Sequence, residues 1–268
     1  NFSFQTAGSR TLVSRRWMLT MHVRVTTVPD PTPVTGGPNT FTPLADCPVA
    51  NPAVACVGSV ALDLDGTVTS SPQLYKLAPA LLSQLYGESF ATDRARLHNG
   101  ALVGSITFQR KKRPRLTCRE RIFPEGRDEI VTTSPAAVAL FNHVFFAKPF
   151  FSKDYMHGYP ESMSLYAAML FSHEATHIWQ WQNRATTGYH PLKAAAEHAA
   201  VDDPYLFDVS TENRFLDYPY EQQASLVEEY VCCTALDPEA PRTKRLESML
   251  SEAFPLGTIH IPQKVSLP

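Results

Sequence analysis

The chain has 268 residues, 44% of them hydrophobic, and a formal net charge of −2. That is enough apolar material for one large domain with an extension. The charge balance excludes a protein built around nucleic acid, and no apolar run is long enough to span a bilayer.

The first 70 residues read as an extension: a strand at Met21–Val28, a connector broken by Pro31, Pro33 and Pro38, and a hairpin over 57–70. In that hairpin Val60, Leu62 and Leu64 alternate with smaller or polar residues, and Asp65-Gly66 is a standard two-residue turn. Ser14–Met21 is basic and then briefly apolar, but it lacks the long apolar stretch and cleavage site of a signal peptide. The expected location is therefore cytoplasmic, or exported by a non-classical route.

A second part, 71–253, carries the regular structure. Residues 72–86 form an amphipathic helix with Leu74, Leu77, Leu81, Leu82 and Leu85 near one side; Pro79 either kinks it or restarts it. Strands follow around Asn99-Gly100. Arg110–Arg115 reads as a solvated basic turn. Residues 129–146 suggest a strand, a turn and a second apolar segment. Residues 163–182 have no Gly or Pro and are rich in Leu, Ala and Met, so they read as a helix. A short helix at 191–201 and a helix from Glu221 to Cys233 come next, and 254–268 reads as a surface tail. The five cysteines make no closed disulfide framework. Cys47 and Cys56 could close one loop, whereas Cys232-Cys233 is expected to pack as small thiols.

The helix at 163–182 contains His173-Glu174-Ala175-Thr176-His177, an H-E-x-x-H pattern. Residues i and i+4 share one helix face, so two imidazoles there can bind one Zn²⁺. The glutamate beside the first histidine is then placed to take a proton from the zinc-bound water. A catalytic zinc needs three protein ligands and an open position. No close downstream histidine follows, because His177 is succeeded by Ile-Trp-Gln-Trp-Gln. A later glutamate is therefore expected. Glu221, 44 residues after His177, opens a helix; Glu228, on the same face, is the alternative, and Glu197 and His198 are weaker candidates. Tyr218, Tyr220, Tyr189 and His190 lie where a donor to a developing oxyanion could come from. Gln180 and Trp181 either line the site or pack.

Three stretches together resemble a known family: Leu85-Tyr-Gly-Glu-Ser-Phe90 with Arg96-Leu-His98, Phe171–Gln180, and Phe215-Leu-Asp-Tyr-Pro-Tyr-Glu-Gln-Gln-Ala224. They are similar to bacterial H-E-x-x-H zinc metallopeptidase-like proteins related to Rhs and Vgr, near the core domain of extracellular contractile injection systems. The resemblance covers about 85–235. It implies an α+β, zincin-like domain with a gluzincin-like site: His173, His177 and Glu221 as ligands of Zn²⁺, Glu174 as base, and a peptide or protein as substrate. It also implies contact with bacterial secretion or toxin systems. Where thermolysin-type gluzincins place an aspartate four residues after the ligand glutamate, this chain has Ser225.

Two other readings compete. One is a non-catalytic adaptor of a secretion or toxin assembly that uses zinc for stability. The other is a Mg²⁺-dependent phosphatase of the haloacid dehalogenase type, because Asp63-Leu-Asp65-Gly-Thr67 spells that family's nucleophile motif, with Asp63 as nucleophile and Asp65 as acid/base. That fold needs repeated strand–helix units, which this sequence does not offer.

Overall fold

The computed structural model describes residues 79–101, 108–126, 128–208 and 213–268, with the backbone of 54–57 and 60–63. Helix α3 (Leu165–Gln182) is the centre of the described fold; its elements are numbered in chain order here. Ser164 caps α3 by accepting a hydrogen bond from the Ala167 N–H, and thirteen of its residues are buried. It lies against α6 (Tyr220–Leu236), which is buried almost all round. A helix without a polar face belongs inside a domain. Leu165, Met169 and Ile178 of α3 and Leu226, Val227 and Val231 of α6 lie in one core with Leu81, Leu82 and Leu85 of α1 (Pro79–Tyr86). Pro79 is the first described residue of α1. The Tyr86 hydroxyl reaches into α3, 2.8 Å from Thr176 Oγ1 and 3.2 Å from the Ser172 carbonyl.

Small sheets surround this pair. β1 (Val54–Val57) and β2 (Val60–Asp63) are antiparallel; the expected turn at Asp65-Gly66 lies outside the described residues, as do the expected strand at 21–28, residues 72–78 and Cys47. A three-stranded sheet has the order β3 (Arg96–Asn99), β7 (His143–Phe146), β6 (Ala137–Leu140), with β3 parallel and β6 antiparallel to the central β7. β4 (Phe108–Lys111) pairs with β5 (Ile130–Thr133). The repeated strand–helix units that a dehalogenase-type phosphatase requires do not occur among the described residues. The architecture is mixed α+β.

Three expectations are overturned in whole or in part. The C-terminal segment lies largely exposed at the surface, as expected, but it is anchored: Phe254 and Ile259 are buried, and β9 (Lys264–Ser266) pairs in parallel with β8 (Ser162–Ser164) just before α3. Cys232 does not merely pack but forms a disulfide with Cys118, 114 residues earlier, tying α2 (Cys118–Ile122) to α6; Cys233 is a buried free thiol. The basic run is solvated only in part: Lys111, Lys112 and Arg115 are exposed, but Arg110 and Arg113 are not. Arg113 is 7% exposed and grips Asp203 with two hydrogen bonds, at 2.5 and 2.7 Å, with Glu120 nearby at 3.7 Å. Arg110 pairs with Glu125. A guanidinium fork matched to a carboxylate is the kind of pair that survives burial, and a sequence run does not reveal it. Among the described residues no helix is long and apolar enough to cross a membrane.

Candidate metal site

His173 and His177 stand one turn apart on α3, and both are buried, as are Glu174 beside them and Glu221 opposite. Glu221 sits in the first turn of α6, which begins after Pro219 with no side-chain cap of its own. The cap comes from α5 (Pro191–Ala200). The Glu197 carboxylate accepts hydrogen bonds from the N–H groups of Tyr220 at 2.8 Å and Glu221 at 3.0 Å. Free N–H groups at a helix start need such acceptors, and an anion there also suits the helix dipole. Gly188, at φ +65°, ends α4 (Arg184–Thr187) and turns the chain towards α5.

Three atoms converge. Glu221 Oε2 is 3.5 Å from His173 Nε2 and 3.3 Å from His177 Nε2, and all three lie within 4.8 Å of one another. Tetrahedral ligands at zinc-like bond lengths are separated by about 3.3–3.5 Å, since each bond is about 2.0–2.2 Å. Both measured edges match. Electrostatics points the same way. Burial opposes charge on all of these groups, yet the His177, His173 and His198 imidazoles hold the Glu221 carboxyl well below the usual carboxylate range. In turn Glu221 and Glu228 outweigh the burial of His173 and raise it to about 10. A buried point that so favours positive charge suits a divalent cation. This His-His-Glu group could hold a metal ion.

The chain is similar to the effector domain of Pseudomonas aeruginosa VgrG2b, with a TM-score of 0.45 and 22% sequence identity, over 68% of this chain and 84% of that one. No protein-family model and no curated protein matches the chain.

The imidazoles are held from behind by groups the sequence leaves undecided. Gln223 donates from Nε2 to the Tyr218 carbonyl at 2.7 Å, so its Oε1 is free to accept. Gln180 donates to that oxygen at 2.9 Å and to the Tyr220 carbonyl at 3.1 Å. Two acceptors thus fix the Gln180 amide, and its Oε1 is left facing His177 Nδ1 at 2.8 Å. His177 therefore carries a proton on Nδ1, and Nε2, which faces Glu221, is the nitrogen that a metal would bind. Both glutamines are essentially fully buried. Trp181, in contrast, packs on Phe141 and Arg184.

Glu228 is on the other side of His173. Its Oε2 is 3.2 Å from His173 Nδ1, and its Oε1 is 3.3 Å from Arg119 Nε. The Nδ1 contact lies outside hydrogen-bonding angles, so it is a close electrostatic pairing. Glu228 thus faces the rear nitrogen of His173, whereas Glu221 faces the front; the alternative of Glu228 as third ligand is not where the donor atoms meet. Gln180 and Glu228 occupy the supporting positions for which Ser225 has no carboxylate. Glu229 points away, to Arg242 and the Cys118 N–H.

Glu174 lines an open cleft with His173, Tyr166 and Leu170 of α3, beneath Pro135 and Ala137 at the edge of the three-stranded sheet. It accepts no hydrogen bond among the described residues. Burial raises its carboxyl above the ordinary range, and nearby Glu221 and Glu228 add to the rise, against the pull of His173 and His177. Of the four oxyanion-donor candidates, none is among the cleft residues. Tyr189 is buried against His177 with ring centres 6.0 Å apart, Tyr220 reaches the Thr187 carbonyl, His190 caps α5 and Tyr218 is buried. Tyr205 was not singled out by sequence, yet it lines the cleft, its ring 5.7 Å from His173 and 5.4 Å from His198. The Arg113–Asp203 fork pins the loop that carries it, and a local reading of 202–220 as irregular chain has no access to that pairing.

Proposed function

We propose that the chain is a zinc-dependent metallopeptidase of gluzincin-like, zincin-type construction. The observation that carries this reading is the convergence of His173 Nε2, His177 Nε2 and Glu221 Oε2 at tetrahedral edge lengths, with Glu174 on the cleft beside them. When bound, zinc supplies Lewis-acid chemistry, acidifying water and polarising a carbonyl.

The chain's own residues do the rest. Glu174 takes the proton of the attacking water. Its raised affinity for that proton lets it hold the proton and then deliver it to the departing amine. The wall above it includes β6, the terminal strand of its sheet among the described residues, and such a strand can align an extended peptide by main-chain hydrogen bonds. Tyr205, whose hydroxyl burial keeps protonated, lines the cleft beside His173 and is the phenol we assign as donor to the developing negative charge. Gln180 and Glu228 keep the two imidazoles oriented.

The open cleft supports catalysis over the non-catalytic adaptor reading, since structural zinc sites are closed. Contact with a bacterial secretion or toxin assembly is part of the same proposal and rests on the sequence resemblance. The Cys118–Cys232 disulfide supports a site of action outside a reducing cytosol.

The test is Glu174→Gln. It should retain metal and thermal stability and lose peptidase activity on unfolded protein substrates by at least about 10²-fold. Equal activity in both proteins would overturn the assignment of Glu174, and wild-type protein that holds zinc but cleaves no peptide would favour the adaptor.

A further inference from the structure

Glu221 has two carboxylate oxygens, and only Oε2 faces His173 and His177. The other, Oε1, is 3.1 Å from His198 Nε2. A carboxylate that ligates a metal can only accept, so the shared hydrogen belongs to His198. The residue before it, Glu197, accepts the Tyr220 and Glu221 N–H groups. Two consecutive residues of α5 therefore hold both the backbone and the carboxylate of Glu221.

Resting on the metallopeptidase reading above, we infer that Glu197 and His198 form a positioning pair that makes Glu221 a one-oxygen ligand. A free carboxylate beside a cation can close on it with both oxygens. His198 occupies Oε1 and prevents that, so a coordination position stays available on the cleft side. Glu197 anchors the start of α6, so that Oε2 stays within reach of both imidazoles. His198 also lines the cleft, but the role assigned to both residues is exercised through Glu221. Supporting groups of this kind change metal affinity about 10–100-fold when removed.

The test uses the full chain loaded with Co²⁺ as a spectroscopic probe, alongside Zn²⁺ competition titrations. His198→Ala frees Oε1; His198→Gln restores an N–H donor at the position of Nε2. Wild type and His198→Gln should show the strong visible bands of four-coordinate cobalt. His198→Ala should show the weaker bands of five-coordinate cobalt, and its kcat should fall with KM nearly unchanged. Glu197→Gln, which weakens the anchor, should bind Zn²⁺ about 10-fold less tightly with an unchanged cobalt spectrum. Metal-free melting curves identify any variant that fails to fold; should His198→Ala be one, His198→Leu, which also lacks the donor, takes its place with the same expected spectrum. A His198→Ala spectrum identical to wild type, with Zn²⁺ affinity within twofold, overturns the inference and leaves the metal site standing. A wild-type chain that takes up no Co²⁺ overturns the metal site and the inference together.

Discussion

Gln180 offers the sharpest mutational test of how the site is built. It is fully buried and makes three hydrogen bonds: one accepted from His177 Nδ1, and two donated, to the Tyr220 carbonyl and Gln223 Oε1. It therefore joins the two ligand-bearing helices and sets the His177 tautomer. Replacing it by leucine, of similar size, strands one buried donor and two acceptors. At about 1–3 kcal/mol for each unmet buried group, with partial relaxation, the loss should be about 2–4 kcal/mol of stability. Freed of its partner, the His177 ring can rotate or change tautomer, and zinc affinity should fall about 10–100-fold. Gln180→Glu separates the two effects. It keeps an acceptor for His177 and removes the donors to α6, so it should hold zinc nearly as well as wild type while still losing about 1–3 kcal/mol. The assays are urea unfolding of the metal-free protein and zinc competition against a chromophoric chelator. If Gln180→Leu lies within 0.5 kcal/mol (about the effect of an ordinary surface change) and binds zinc as tightly as wild type, the linkage argued here is wrong.

Two further outcomes follow from other parts of the fold. The Cys118–Cys232 disulfide closes a loop with a sequence separation of 114; by chain entropy the double Cys→Ala variant should lose about 4–5 kcal/mol, read by denaturant midpoint, and a loss under about 1 kcal/mol would contradict it. His98 shares a 2.9 Å hydrogen bond with His143, and burial, with the His143 and Arg96 charges, lowers it from 6.5 to about 3. The unfolded chain then takes up the proton first, so the stability from neutral His98 is full above about pH 6.5 and falls by about 1.4 kcal/mol per unit towards pH 3. In His98→Gln the pH dependence of unfolding between pH 6 and 4 should flatten by up to that slope; an unchanged slope would refute the burial argument.

Much of the candidate site was legible because helical spacing is local. The i, i+4 histidines, the adjacent glutamate and the inward face Glu221-Ala224-Glu228-Val231 all follow from 3.6 residues per turn. What could not be read depends on which distant chain segments meet. The choice between Glu221 and Glu228 turns on which nitrogen of His173 each one faces, and no spacing rule states that. The solvated reading of Arg113 failed because its partner, Asp203, lies 90 residues away and is brought to it only by packing. Cys232 looked like a packing thiol for the same reason. The anchoring of the tail was missed because a three-residue strand carries too little pattern to announce its partner at Ser162–Ser164.

The central claim is that His173, His177 and Glu221 hold zinc. The most direct measurement is an anomalous difference map at the zinc edge, from crystals of protein never exposed to chelator. The account predicts a peak about 2.0–2.2 Å from His173 Nε2, His177 Nε2 and Glu221 Oε2, with Glu228 outside the coordination shell and His198 on the far oxygen of Glu221. A map with no peak at that point, or with zinc held by Glu228 in place of Glu221, would contradict it.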